Sequence, residues 1–186
     1  MEKSYEIEFR ALLSEEKYKS LLVFLKAQAE DLGSDDKCVW FFVMPEKLLK
    51  VTHNISKRSG KVTLKLTRIG QGSSFEEIEY PISENDIETA VKLFKELGHE
   101  YLLEPTILRH NYLYKGVELA VKFSKSWGYH MELEVLTTRK EDQFEAEQLI
   151  RSVADELGVK IMTDAELTDF TNNIEENYVH PTEATI

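Results

Sequence analysis

Eight stretches of the chain alternate polar and apolar residues with a period of two, the pattern of a β-strand with one buried face. Most are joined by short, turn-like connections. The chain is therefore predicted to be built mainly on a β-sheet. The predicted strands cover residues 4–13, 38–44, 47–53, 61–68, 75–82, 106–114, 117–123 and 129–137.

Four further segments place apolar residues at helical spacing and have recognisable ends. The first helix is capped by Ser14 and is predicted to end before Gly33. The second begins at Ser83 and the third covers about 141–157. The fourth starts with the capping box at residues 163–166.

One short motif, with Glu residues at alternate positions, occurs on three of the predicted strands. In an extended strand alternate side chains share a face, so each copy places two carboxylates on one face and apolar residues on the other. Any half-buried strand with a wet face shows this alternation, and one copy indicates nothing more. Three copies, spread from the start to the far end, predict an architecture that gathers them into an acidic pocket suited to a hard cation. The copies are Tyr5-Glu6-Ile7-Glu8-Phe9, Glu76-Glu77-Ile78-Glu79-Tyr80 and Met131-Glu132-Leu133-Glu134-Val135.

Positive residues lie on the same strands, each flanked by apolar neighbours. They are Lys50, Lys65, Arg109 and Lys122. Arg10 lies on the same face of its strand as Glu6 and Glu8. With a divalent metal and a polyphosphate, a cavity lined by both signs of charge becomes a matched set. The alternative is a set of cross-strand salt bridges on a wet sheet face. The residues alone leave both interpretations open.

Length and charge limit the other possibilities. At 186 residues the chain is expected to form one domain over residues 1–176, followed by a flexible tail over 177–186. The net charge of -11 argues against a nucleic-acid polymer or an anionic membrane as partner. A polyphosphate remains compatible if the positive groups are gathered in one cavity.

The single cysteine, Cys38, excludes an internal disulfide and a multi-thiolate metal site. The first residues lack the apolar core of a signal peptide, and the longest apolar run, 39–44, is far too short to span a membrane. The sequence therefore predicts a soluble protein of the reducing cytoplasm. It leaves a monomer and a homodimer open.

Six short motifs occur in order between residue 5 and about residue 135. They are Glu6-x-Glu8-x-Arg10, Leu49-Lys50-Val51-Thr52, Thr63-Leu64-Lys65, Glu77-x-Glu79, Arg109 with Tyr112, and Gly128 followed by Glu132-x-Glu134. Each motif is weak alone, but the ordered set resembles the CYTH domain. This superfamily of triphosphate tunnel metalloenzymes includes class IV adenylate cyclases, thiamine triphosphatases and tripolyphosphatases.

The resemblance implies an α+β fold in which eight antiparallel strands close into a barrel, or tunnel, with helices packed outside. It implies Mg²⁺ or Mn²⁺ as cofactor and a small-molecule triphosphate as substrate. Arg10 and Lys65 are the expected catalytic residues. The expected metal ligands are Glu6, Glu8, Glu132 and Glu134, and the expected substrate-binding residues are Arg10, Lys50, Lys65, Arg109, Lys122, Glu77 and Glu79.

The leading hypothesis is metal-dependent hydrolysis of tripolyphosphate or of a small organic triphosphate such as thiamine triphosphate. A class IV-type cyclase that makes cyclic AMP from ATP, and a phosphate-binding protein without turnover, remain alternatives. The second alternative rests on departures from the family pattern. Arg10 stands where Lys is usual, Thr52 and Phe75 where Arg is expected, Ile107 where Lys is typical, and Lys122 where a metal-binding Asp often occurs.

Overall fold

A computed structural model describes residues 5–67 and 72–178, and in these residues the chain forms ten β-strands and four α-helices. The strands are β1 Tyr5–Leu12, β2 Glu30–Ser34, β3 Lys37–Val43, β4 Leu48–Asn54, β5 Ser59–Lys65, β6 Ser74–Phe75, β7 Glu77–Ile82, β8 Leu102–Tyr114, β9 Val117–Ser124 and β10 Gly128–Thr137. The helices are α1 Glu15–Gln28, α2 Ile87–Glu96, α3 Gln143–Glu156 and α4 Asp164–Glu176.

The strands form one curled antiparallel sheet in the order β6-β1-β10-β9-β8-β3-β4-β5-β7, with β2 paired to β8. Its two ends, β6 and β7, are consecutive in the chain and only Glu76 separates them. One end pairs with β1 and the other with β5. The predicted α+β class and the antiparallel sheet are therefore confirmed, whereas full closure into a barrel remains a proposal.

Helices cover the outer face of the curled sheet with two apolar clusters. Helices α1 and α3 pack on β1, β8, β9 and β10, where Leu25, Ile150 and Leu133 are fully buried in one apolar cluster. Helix α2 packs on β4 and β5, and Phe42 meets Phe94 with ring centroids 5.4 Å apart. Because successive side chains of a strand alternate, the polar side chains between these apolar ones point to the inner face.

All eight predicted strands are present in the described residues, although residues 4 and 68 of the predictions lie outside them. Strand β2 was missed because its mostly exposed, polar residues show no alternation. The first helix ends at Gln28, earlier than predicted. Gly33 has a left-handed backbone (φ 86°), and a bulge between Asp31 and Gly33 lets this segment pair with β8.

The C-terminal helix α4 begins with the predicted capping box, in which Thr163 and Glu166 bond each other's backbone N–H groups. After it, the Tyr178 hydroxyl accepts from the Leu103 N–H at 2.5 Å and donates to the Leu103 carbonyl at 3.1 Å. The predicted tail falls mainly on residues 179–186, outside the described residues. No helix found in residues 5–67 and 72–178 combines the length and apolar character of a membrane span.

Gly60 of β5 packs closely against its neighbours. A Cβ atom there would lie 2.7 Å from Ile82 Cγ1 and 2.9 Å from Ile87 Cγ1. We expect Gly60→Ala to lower the free energy of unfolding by about 1–3 kcal/mol, because both neighbours must shift. Urea unfolding followed by circular dichroism measures the change. Ser59→Ala, at the exposed neighbouring position, is the matched control, and equal stability of the two variants would contradict this packing.

Candidate functional site

The inner face of the curled sheet lines a cavity of about 460 Å³, and all eleven predicted site residues line it. Charges of both signs meet there in nearly equal number. The carboxylates are Glu6, Glu8, Glu77, Glu79, Glu104, Glu118, Glu132 and Glu134. The cationic side chains are Arg10, Lys37, Lys50, Lys61, Lys65, Arg109 and Lys122.

One side of the cavity, formed by Glu6, Glu8 and Glu134, is acidic, and we call it the acidic side. Pairing of β1 with β10 places Glu8 directly opposite Glu134. Burial, together with the charge of Glu8, raises the pKa of Glu6 to about 10. Burial and the charges of Glu8 and Glu132 raise the pKa of Glu134 to about 7. Burial would also raise the pKa of Glu8, but Arg10 and Lys65 lower it to about 2.

Lys65 joins the acidic side to β7. Its ammonium lies 2.6 Å from Glu77, 3.4 Å from Glu8 and 3.7 Å from Glu6. Burial opposes the charge of Lys65, yet these carboxylates raise its pKa. Glu77 therefore holds this lysine in place from the neighbouring strand.

Lys50 differs from the other cavity cations, because among the described residues no carboxylate lies within 4.0 Å of its ammonium. Burial and the nearby charge of Lys65 lower the pKa of Lys50 to about 8. Its cross-strand partner Thr63 is buried, and the Thr63 hydroxyl has no hydrogen-bond partner. Lys50 and Thr63 can therefore donate hydrogen bonds to a bound anion without breaking an existing ion pair.

Three cations surround Glu132, and we call these four residues the Glu132 cluster. Lys122 Nζ lies 2.8 Å from Oε1 and Arg10 Nε 3.2 Å from the same oxygen. Arg109 Nη1 lies 3.1 Å from Oε2. Although burial works in the opposite direction, these charges hold the pKa of Glu132 well below its ordinary value. Burial and the charge of Arg109 lower the pKa of Lys122 to about 8.

Glu79 stands at the rim, where it forms an ion pair with Lys61 and both side chains are 45% exposed. Sequence reasoning missed Lys61 and also Lys37, whose ammonium lies 2.8 Å from Asp35. Lys61 lies on a predicted strand, on the face of Thr63 and Lys65, so strand periodicity contained a signal for it. Lys37 lies one residue before the predicted strand 38–44, whereas the observed strand β3 begins at Lys37. Trp127, at the β9–β10 turn, was missed because a turn has no such period.

Two ring side chains on the motif strands, His130 and Tyr112, are buried. His130 is 3% exposed, its Nδ1–H donates to the Gly128 carbonyl at 2.9 Å, and burial lowers its pKa to about 3. Tyr112 is 2% exposed and stacks on His110 on the helix-facing side of the sheet. The His130 imidazole lines the cavity, whereas Tyr112 is not among the lining residues.

The acidic side has the chemistry of a hard-cation site. In the described part of the chain no group of three or more His, Cys, Asp or Glu residues is already gathered closely enough to hold a metal. However, the raised pKa values of Glu6 and Glu134 reflect burial and repulsion between carboxylates, which a divalent ion would offset. Their oxygen atoms are the ligands that Mg²⁺ and Mn²⁺ prefer. The residues present therefore fit such an ion.

A comparison with protein families decides the wider relationship. The family model of the CYTH domain matches residues 4–166, most of the chain. The chain belongs to the CYTH family. The resemblance expected from the ordered motifs is thereby confirmed, and CYTH membership implies a divalent-metal dependence. A comparison with curated proteins finds no match.

Solved structures share the CYTH fold at low sequence identity. A conserved hypothetical protein from Pyrococcus furiosus is 27% identical, with a TM-score of 0.67 over 84% of this chain and 94% of that one. The PH1012 protein from Pyrococcus horikoshii OT3 is 24% identical, with a TM-score of 0.68 over 87% and 99%. HpAC1 from Hippeastrum, described as a putative adenylyl cyclase with a dominant triphosphatase activity, is 16% identical, with a TM-score of 0.63 over 97% and 99%.

The different surroundings of Glu132 and Glu134 in this CYTH domain predict that replacing each by glutamine has opposite effects on stability. In metal-free protein we expect Glu132→Gln to lower the free energy of unfolding by about 3–5 kcal/mol, because three buried cations lose their counter-ion. We expect Glu134→Gln to raise the melting temperature at about pH 8, because it removes a carboxylate repelled by Glu8 and Glu132. Differential scanning calorimetry measures both changes.

The pH dependence provides the control. The folded protein holds the Glu134 proton more tightly than the unfolded chain does, so this carboxyl stabilises the fold at acidic pH. That stabilisation is lost as the pH rises through about 7. The advantage of Glu134→Gln should therefore shrink between about pH 8 and pH 5.5. Equal destabilisation by the two substitutions would contradict the assigned charge arrangement.

Proposed function

We propose that this CYTH-domain protein is a metal-dependent hydrolase of a small triphosphate, either tripolyphosphate or an organic triphosphate such as thiamine triphosphate. The observation that carries the proposal is one cavity in which an acidic side faces several buried cations. A metal ion would neutralise the carboxylates of the acidic side, and a phosphate chain would neutralise the buried cations. The buried carboxylates and the buried cations contribute little to the stability of the fold, since buried ion pairs rarely stabilise a fold on balance.

We also propose that the curled sheet closes into a tunnel around the substrate. The Glu8 N–H donates to the Ser73 carbonyl at 2.9 Å, and the Leu66 N–H donates to the Glu76 carbonyl at 3.1 Å. These bonds join β1 and β5 to the two ends of one short segment. Lys65 of β5 reaches Glu8 of β1 across the same gap. Closure would leave no free sheet edge and would keep water away from the charges.

On this proposal Glu6, Glu8 and Glu134 hold Mg²⁺ or Mn²⁺ on the acidic side. The ion, when bound, supplies Lewis-acid stabilisation of phosphate oxygens and lowers the pKa of bound water. Lys65 lies against Glu6 and Glu8, so it can hold phosphate oxygens beside the ion. Glu77 keeps its ammonium in position, while Glu79 keeps Lys61 at the rim.

The phosphate chain would lie along the inner cations. Lys50 and the Thr63 hydroxyl can donate to phosphate oxygens at once, because neither has a competing acceptor among the described residues. The phosphate chain would also contact the three cations of the Glu132 cluster, which are Arg10, Arg109 and Lys122. In hydrolysis a water oxygen would form the new bond to the terminal phosphorus, and the bridging P–O bond would break so that the diphosphate part of the substrate leaves. The terminal phosphoryl group is released as orthophosphate, and the protons of the water pass to the products and solvent. Positioning and charge stabilisation account for most of the catalysis of such a reaction.

A phosphate-binding protein without turnover is the second candidate, and a specific observation supports it. Six of the seven cavity cations lie within 4.0 Å of a carboxylate, so a ligand must compete with these carboxylates for positive charge. Under this alternative a phosphate compound binds and stabilises the fold but is not hydrolysed. Cyclisation of ATP would use the same cavity with a ribose hydroxyl as the attacking group.

The test is release of phosphate, pyrophosphate and cyclic AMP from tripolyphosphate, thiamine triphosphate and ATP, with Mg²⁺ or Mn²⁺ and with EDTA. We expect metal-dependent phosphate release and no cyclic AMP. Lys65→Met should lower kcat/KM by about 100-fold or more, because it removes a buried cation beside Glu6 and Glu8.

Lys115→Met is the matched control. Lys115 is exposed and pairs with Glu156 on the outer surface, so its loss should leave kcat/KM unchanged. Pyrophosphate with cyclic AMP would instead identify a cyclase. A melting temperature raised by tripolyphosphate without any product would identify a binder, and equal loss of activity in both lysine variants would contradict the proposed site.

A further inference from the structure

The Glu132 cluster uses both oxygens of its carboxylate. Lys122 and Arg10 share Oε1, and Arg109 contacts Oε2. The Glu132 side chain is only 13% exposed, so water does little to replace these partners. Arg10 also forms an ion pair with Glu8, and Arg109 Nη2 lies 3.8 Å from Glu118, so the cluster is not isolated. Even so, three cations gather at the single negative charge of Glu132, a concentration of positive charge comparable to that of a bound divalent ion.

Glu134 lies two residues further along the same strand and on the same face, but its surroundings are opposite. No Lys or Arg nitrogen of the described residues is within 4.0 Å of its carboxylate. It lies opposite Glu8 on one neighbouring strand and Glu118 on the other. The two glutamates of one motif therefore have different surroundings: within residues 5–67 and 72–178, Glu134 has no cation within 4.0 Å and Glu132 has three.

Strand pairing explains why the cations gather at Glu132. Arg109 and Lys122 are direct cross-strand partners on β8 and β9, and like charges in that position repel. Ala120 lies directly opposite Glu132, and its small side chain leaves room for Lys122 to reach across to the carboxylate. A metal ion at Glu132 would have to displace these contacts, leaving Arg109 and Lys122 buried side by side without their shared counter-ion.

We propose that Lys122, together with Arg10 and Arg109, takes the charge role of a second divalent ion, so that the cavity binds a single metal ion on the acidic side. Glu132 is then a positioning residue that holds three phosphate-facing cations, and it is not a metal ligand. This inference rests on the metal dependence in the proposed function. It goes further by separating the four expected ligands into two groups with different tasks.

The experiment counts bound Mn²⁺ in metal-stripped full-length protein without substrate, by electron paramagnetic resonance of free Mn²⁺ and by calorimetric titration. We expect about one Mn²⁺ per chain. Glu134→Gln should weaken its binding by about tenfold or more, whereas Glu132→Gln should change it by less than about threefold. These two positions are matched in strand and face, so the comparison isolates the surrounding charges.

Charge reversal tests the role of Lys122 directly. Lys122→Asp places a second carboxylate near Glu132 and should raise the stoichiometry to about two Mn²⁺ per chain. Lys37→Asp makes the same charge change at another cavity lysine, one that pairs with Asp35 and not with Glu132. It should leave the stoichiometry at about one.

Wild-type protein that binds two ions, or loss of the bound ion in Glu132→Gln as in Glu134→Gln, would overturn the single-ion assignment. Two bound ions with triphosphatase activity retained would overturn it alone and leave the proposed function standing. Absence of Mn²⁺ binding in wild-type protein would overturn both. The wild-type stoichiometry decides the question even if a charge-reversal variant does not fold.

Discussion

Charge compensation among buried side chains of the cavity is the constraint on which the site depends. Burial raises the free energy of every ionised group on the inner face, so each charge needs a partner. Lys65 meets this requirement through three carboxylates, and Glu132 meets it through three cations. Glu6 shares Lys65 with two other carboxylates, and Glu134 has no Lys or Arg nitrogen within 4.0 Å among the described residues. Their raised pKa values identify where an added positive charge would be most favourable.

The stability of the fold has a different origin. Two apolar clusters between the sheet and its helices bury the outer face, and they supply the hydrophobic free energy that holds the strands in their curl. The inner face can then carry charged groups of little net benefit to stability. This division separates the residues that maintain the fold from those that would bind a ligand. It also explains why a chain of net charge -11 can present a cavity with nearly equal numbers of both signs.

Most of the elements and the candidate site could be predicted, because both follow from local periodicity. Inner-face residues recur at every second position, so the motifs containing Lys50, Lys65 and Arg109 already indicated a shared face. Strand β2 could not be predicted, since backbone pairing with β8 holds it and its side chains are largely exposed. Trp127 was missed because it enters the cavity from a turn.

Local sequence is enough to predict which side chains share a face of a strand, because alternation is a property of the extended backbone and does not depend on neighbouring strands. Which side chains lie opposite each other on neighbouring strands depends on the register of the folded sheet. Register across β1 and β10 sets Glu8 against Glu134, and register across β8 and β9 places Arg109 beside Lys122. Glu132 and Glu134 are indistinguishable in the motif, yet strand pairing surrounds one with cations and the other with carboxylates. Electrostatic energies depend on distances between strands far apart in the chain, which no local pattern specifies.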